Sequence, residues 1–107
     1  MANEFVARKG IISLGGVTAP YTGITQTYSV TSDDFTIDCL SGTFTVSLPT
    51  AVGIKGKIYI IKNSGNGQIT VDANGGETID DLTTQLLIPY ASIEIISDGS
   101  NWIIAGV

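Results

Sequence analysis

Hydrophobic residues in this chain recur with a period of two, in short runs separated by turn residues, and this pattern limits the choice of fold most. Tyr28 and Val30 alternate with Thr27, Ser29 and Thr31, and Phe35, Ile37 and Cys39 alternate with Thr36 and Asp38. Phe44, Val46 and Leu48 alternate with Thr43, Thr45 and Ser47, while Ile69 and Val71 share a face, as do Ile93 and Ile95. Side chains point to opposite faces of a strand in turn, so these runs predict half-buried antiparallel strands. Ile58-Tyr59-Ile60-Ile61 and Trp102-Ile103-Ile104-Ala105 are apolar on both faces. They are expected as central strands, or as strands whose second face meets another subunit.

Turn chemistry fills the gaps. Ser32-Asp33-Asp34, Ser41-Gly42, Asn63-Ser64-Gly65-Asn66-Gly67, Asn74-Gly75-Gly76 and Asp98-Gly99-Ser100-Asn101 carry the residues that tight turns favour. Pro49 closes one strand, and Pro89 marks an edge or a bulge. Short, regular punctuation of this kind predicts a sandwich, barrel or β-prism, and the expected fold is an all-β domain of antiparallel sandwich or β-prism type. Residues 78–88 leave two readings open. Thr78-Ile79-Asp80-Asp81 resembles a capping box, and Ile79, Leu82 and Leu86 have helical spacing, but Thr83-Thr84 and Pro89 oppose a helix.

Residues 1–25 read differently from residues 26–107. Phe5, Val6, Ile11, Ile12 and Leu14 make an apolar arm, followed by a Gly- and Pro-containing linker that runs to Gly23. A lone arm has nowhere obvious to bury these side chains, which makes them candidates for oligomerisation or attachment. Charged residues are only 14% of the chain, which points the same way, because a small monomer normally covers its surface with charge. No repeat of solenoid length is visible.

Composition also narrows the chemistry. A net charge of −5, with five scattered basic residues, argues against nucleic acid and against an anionic membrane surface. The chain has no histidine, the commonest general base and metal ligand, and one cysteine, which cannot form an intrachain disulfide. No cofactor, metal or catalytic residue is expected. There is no signal-peptide pattern and no apolar stretch of membrane-spanning length, so synthesis in a cytoplasm without membrane insertion is expected.

The remaining candidates each have a plain structural reading. Asp72-Ala73-Asn74-Gly75-Gly76-Glu77 holds only a fragment of a calcium loop and is expected to be a surface turn. The doublets Asp33-Asp34 and Asp80-Asp81 are expected as solvated turn residues, since neighbours on a strand cannot form a glycosidase pair. Cys39 shares the parity of Phe35 and Ile37 and should be a buried, inert thiol. Gly53-Ile54-Lys55-Gly56-Lys57 lacks the frame of a phosphate loop. Trp102 and the tyrosines Tyr21, Tyr59 and Tyr90 are the candidates for stacking on a glycan, with core packing the default for Trp102.

One series of motifs runs in a familiar order. It comprises Tyr28-Ser29-Val30-Thr31-Ser32-Asp33-Asp34-Phe35-Thr36-Ile37, Gly42-Thr43-Phe44-Thr45-Val46-Ser47-Leu48-Pro49 and Gly56-Lys57-Ile58-Tyr59-Ile60-Ile61-Lys62-Asn63. Ile69-Thr70-Val71-Asp72, Gly76-Glu77-Thr78-Ile79-Asp80 and Ile93-Glu94-Ile95-Ile96-Ser97-Asp98-Gly99-Ser100-Asn101-Trp102 follow. The series resembles the small β-domain of tailed-bacteriophage tail fibres and related virion appendages, over residues 26–107. Residues 4–14 also resemble sequence that precedes fibre shafts, although no long shaft is present. The resemblance implies a non-enzymatic virion protein, such as a short tail or head fibre, a decoration protein or an adhesin-like module. It implies a homotrimer, contact with other virion proteins through the arm, and possible contact with host-surface glycan. The alternative is a carbohydrate-binding β-sandwich from a larger cell-surface protein.

Overall fold

The computed structural model describes residues 14–107, in which the alternating runs become nine strands and no helix. The strands are β1 (Tyr21–Ile24), β2 (Tyr28–Ser29), β3 (Thr36–Cys39), β4 (Phe44–Ser47), β5 (Ile58–Asn63), β6 (Ile69–Asp72), β7 (Thr84–Leu87), β8 (Ser92–Ser97) and β9 (Trp102–Gly106). They form a five-stranded sheet of order β1-β3-β5-β8-β9 and a four-stranded sheet of order β2-β4-β6-β7. From β1 to β6 the chain alternates between the sheets, so β1, β3 and β5 pair in parallel, as do β2, β4 and β6. The last three strands then turn back, with β7 antiparallel to β6, β8 to β5 and β9 to β8.

The sheets are therefore mixed, which corrects the antiparallel expectation. Parallel neighbours need a crossover, and here the crossover is a strand of the opposite sheet rather than a helix. Every strand in such a coil keeps one face inward, so the sequence alternates as it would in an antiparallel sandwich. The coils differ in length, since Tyr21, Thr36 and Ile60 lie side by side, and so no sequence repeat results. β1 also moves residues 21–24 out of the expected arm and into the sheet. Phe5, Val6, Ile11 and Ile12 lie outside the described residues, and Leu14 is fully exposed.

Inward-facing residues of both sheets make the core. Ile37, Cys39, Tyr59, Ile61, Ile93 and Ile95 come from the larger sheet, and Val46, Ile69, Val71 and Leu87 from the smaller. Tyr59 and Trp102 pack as a tilted ring pair 5.6 Å apart. Trp102 begins β9, which is an edge strand rather than a central one.

Residues 78–88 contain a hairpin turn and a strand instead of a helical turn. Ile79 and Leu82 bond to each other around Asp80 and Asp81, whose φ values of 48° and 68° make a type I′ turn. A type I′ turn requires positive φ at both central residues, and aspartate tolerates it better than most residues.

Two inward-facing polar side chains tie the layers together. Asn63 Nδ2 donates to the carbonyls of Gly67 and of Leu87 on β7, while its Oδ1 accepts from Gly65 N–H. At the other end of the sandwich, Ser97 Oγ donates to Ala51 C=O and accepts from Gly99 N–H. The turn after Asn63 is then pressed on the turn before β4. A Cβ on Gly67 would lie 2.2 Å from Gly42 O, whereas one on Gly76 would meet nothing within 4 Å. Gly67→Ala should therefore lower unfolding stability by about 1–3 kcal/mol, the usual cost of overpacking. Gly76→Ala should stay within about 0.5 kcal/mol of wild type in the same urea titration, as surface changes generally do.

Candidate functional site

Structure separates the four candidate stacking residues into two pairs. Tyr59 and Trp102 are 1% exposed and belong to the core, so neither offers a ring to a ligand. Tyr21 and Tyr90 are 63% and 67% exposed. Both project at the outward face of the five-stranded sheet, where the register sets Asp38 beside Lys62 and Lys62 beside Ser92.

This face carries a polar and aromatic row. Tyr21 OH donates to Asp38 Oδ2 at 2.6 Å, and Ser64 Oγ donates to Asp38 Oδ1. The hydrogen bond to Asp38 raises the Tyr21 phenol above its ordinary pKa, so the hydroxyl stays protonated and donating. Lys62 Nζ donates to the backbone carbonyl of Tyr90 at 2.6 Å and stands 5.9 Å from the centre of its ring. Two N–H groups of the ammonium are left over from that bond. The arrangement can stack a flat apolar surface and hydrogen-bond to polar groups at its rim.

Asp38 and Lys62 escape sequence reading because only the parallel register brings them together. Their outward parity, opposite to Ile37 and Ile61, was the available signal. Asp34 also departs from expectation. It is 6% exposed rather than solvated, and it accepts hydrogen bonds from Thr22 Oγ1, Tyr28 OH, Thr31 N–H and Thr31 Oγ1. Thr22 lies on β1 and Tyr28 on β2, so one carboxylate joins both sheets near their first strands. Burial pushes this carboxyl up, but the hydrogen bonds to Thr31, Tyr28 and Thr22 together outweigh it and hold the carboxyl below the usual range.

The other acidic group is a cleft of about 290 Å³ lined by Asp80, Asp81 and Asp98 with Asn101 and Ile103. Asp98 is held low by the N–H groups of Asn101 and Ser100, and Asp80 Oδ1 accepts from Ile104 N–H. These bonds fasten turns. No cluster of metal-ligating residues occurs among the described residues. Cys39 is fully buried, and desolvation, with the Asp38 charge adding to it, pushes the thiol up to about 11. No protein-family model matches the chain, and no characterised protein matches it either.

Two outcomes follow. Native protein should react with a thiol reagent at least about tenfold more slowly than urea-unfolded protein, because an un-ionised buried thiol must wait for opening. Asp34 has a folded pKa below its unfolded value of about 3.9, so its stabilisation is complete above that value and is lost as pH falls through the folded pKa. The stability gap between wild type and Asp34→Asn should be about 1–3 kcal/mol at pH 7 and should shrink towards pH 2.5 in urea titrations. A gap that stays constant with pH would contradict the role given to Asp34.

Proposed function

We propose that this chain is a non-enzymatic structural module of a bacteriophage virion appendage, which self-associates and attaches the particle to a surface. The observation that carries the association is a row of isoleucines turned outward. Ile58, Ile96 and Ile103 lie side by side across β5, β8 and β9, with Ile60 in the next row. Ile103 is 42% exposed. Leu82 and Leu86, more than half exposed, flank a second apolar groove beside β7 on the smaller sheet. A partly exposed apolar row on a small domain is a usual mark of an interface.

The choice of three copies over two comes from the tail-fibre resemblance, since an apolar face alone does not choose a symmetry. In a trimer, three weak surface contacts reinforce one another through effective concentration. Tyr21 and Tyr90 favour a second reading, a glycan-binding module of a larger cell-surface protein. Mass in solution separates the two.

Full-length protein at micromolar concentration should sediment as a trimer. Ile103→Lys, which sets a charge in the apolar row, should weaken association by at least about tenfold, or ~1.4 kcal/mol, and leave the β-type circular dichroism unchanged. A wild-type monomer at that concentration would overturn the assembly reading.

A further inference from the structure

Tyr90 occupies a backbone position that the fold alone would give to glycine. Ile88 C=O accepts from Ala91 N–H at 3.0 Å, Pro89 stands second, and Tyr90 stands third with a φ of 67°. This is a type II turn, whose third position demands left-handed backbone. Glycine adopts it freely, whereas a bulky side chain there is an outlier. The conformation is clamped from both sides. Tyr90 N–H donates to Asn63 C=O at 2.7 Å, and Tyr90 C=O accepts from Lys62 Nζ.

The ring recovers little by burial, being 67% exposed. The two other non-glycine residues with positive φ among the described residues, Asp80 and Asp81, are of a type that tolerates this region, and they form a hairpin turn that needs it. Tyr90 has neither excuse. An exposed aromatic ring held in strained backbone, beside an ammonium with donors to spare, points from strain towards binding.

We infer that Tyr90 and Lys62 form a stacking platform for a neutral pyranose, with the C–H face of the sugar on the phenol ring and its hydroxyls on Lys62 Nζ. Asp38 stands beside Lys62 on one strand, and Glu94 faces outward on the strand at its other side. Two carboxylates against one ammonium disfavour an acidic sugar. Tyr21, on β1, lies two strand spacings of about 4.8 Å from β5 and offers a second ring on the same face, which suits an oligosaccharide. The inference rests on the surface-attachment part of the function proposed above and is independent of the number of copies.

The test titrates full-length protein with the methyl glycosides of glucose, galactose, mannose and N-acetylglucosamine, following backbone amide shifts by NMR. Methyl N-acetylneuraminate glycoside serves as the acidic comparator. At least one neutral glycoside should shift Lys62, Tyr90 and Ala91, and the acidic sugar should bind several-fold more weakly. Tyr90→Gly should lose that binding by at least tenfold while its melting temperature holds or rises, because glycine relieves the φ strain. Tyr90→Asn, which also accepts left-handed backbone, should repeat the pattern. A lower melting temperature in both variants would make the ring a packing element and overturn the inference. So would binding that survives both substitutions, or no shift at Tyr90 with any neutral glycoside. A wild-type monomer that binds through Tyr90 would sink the assembly reading and leave this one standing.

Discussion

The carboxamide of Asn63 is a fully buried polar tie that binds β5 of one sheet to β7 of the other. It lies fully buried at the end of β5, and its three hydrogen bonds go to Gly65, Gly67 and Leu87. An unpaired amide in such a place would cost roughly 1–3 kcal/mol for each group left unsatisfied, so the turn and β7 can settle only where they satisfy it. Gly65 and Gly67 follow from this constraint, because the turn that Asn63 fixes runs against the backbone of Ser41 and Gly42 too closely for a side chain. The backbone of Asn63 also receives Tyr90 N–H, while its neighbours Lys62 and Ser64 point to the outward row. Core registration and surface presentation thus share one residue.

Much of this was legible in the sequence, for a physical reason. Alternation records which side of a strand is buried, and the inward sets Ile37/Cys39, Ile69/Val71 and Ile93/Ile95 were readable directly. Alternation does not record who the neighbour is. A coil that crosses between two sheets gives the same one-sided burial as a hairpin, and so the parallel pairs of β1, β3, β5 and of β2, β4, β6 were invisible. β1 was missed because Tyr21-Thr22-Gly23-Ile24 lacks a clean apolar face; only Ile24 is buried, and Thr22 is held by Asp34. Asp34 was missed because an acidic doublet beside a serine reads as solvent-facing until four donors are seen to converge on it.

The candidate site was half legible. Exposed and buried tyrosines cannot be told apart by type, and Tyr59, in a run apolar on both faces, turned out to be the inward one. Tyr90 follows Pro89, so a turn was foreseeable, but the positive φ that makes the ring costly to keep there is a property of the folded chain alone.

The outward face of the larger sheet changes character along its strands, and this gradient would let one small domain serve the two purposes proposed for it. At one end lies the row Ile58, Ile96 and Ile103; at the other lie Asp38, Lys62 and Ser92, with Tyr90 beyond. Ile58 and Lys62 face the same way on β5, four residues apart, which at about 3.3 Å per residue is on the order of 13 Å. A second copy seated on the isoleucine row would therefore leave the tyrosine end open. Apolar association would use the isoleucine side chains, with the cleft of Asp80, Asp81 and Asp98 at their margin, and hydrogen bonding to a sugar would use the Lys62 end. Dividing one sheet face between the two would keep the requirements from conflicting, and every further copy in the proposed assembly would add another open tyrosine end.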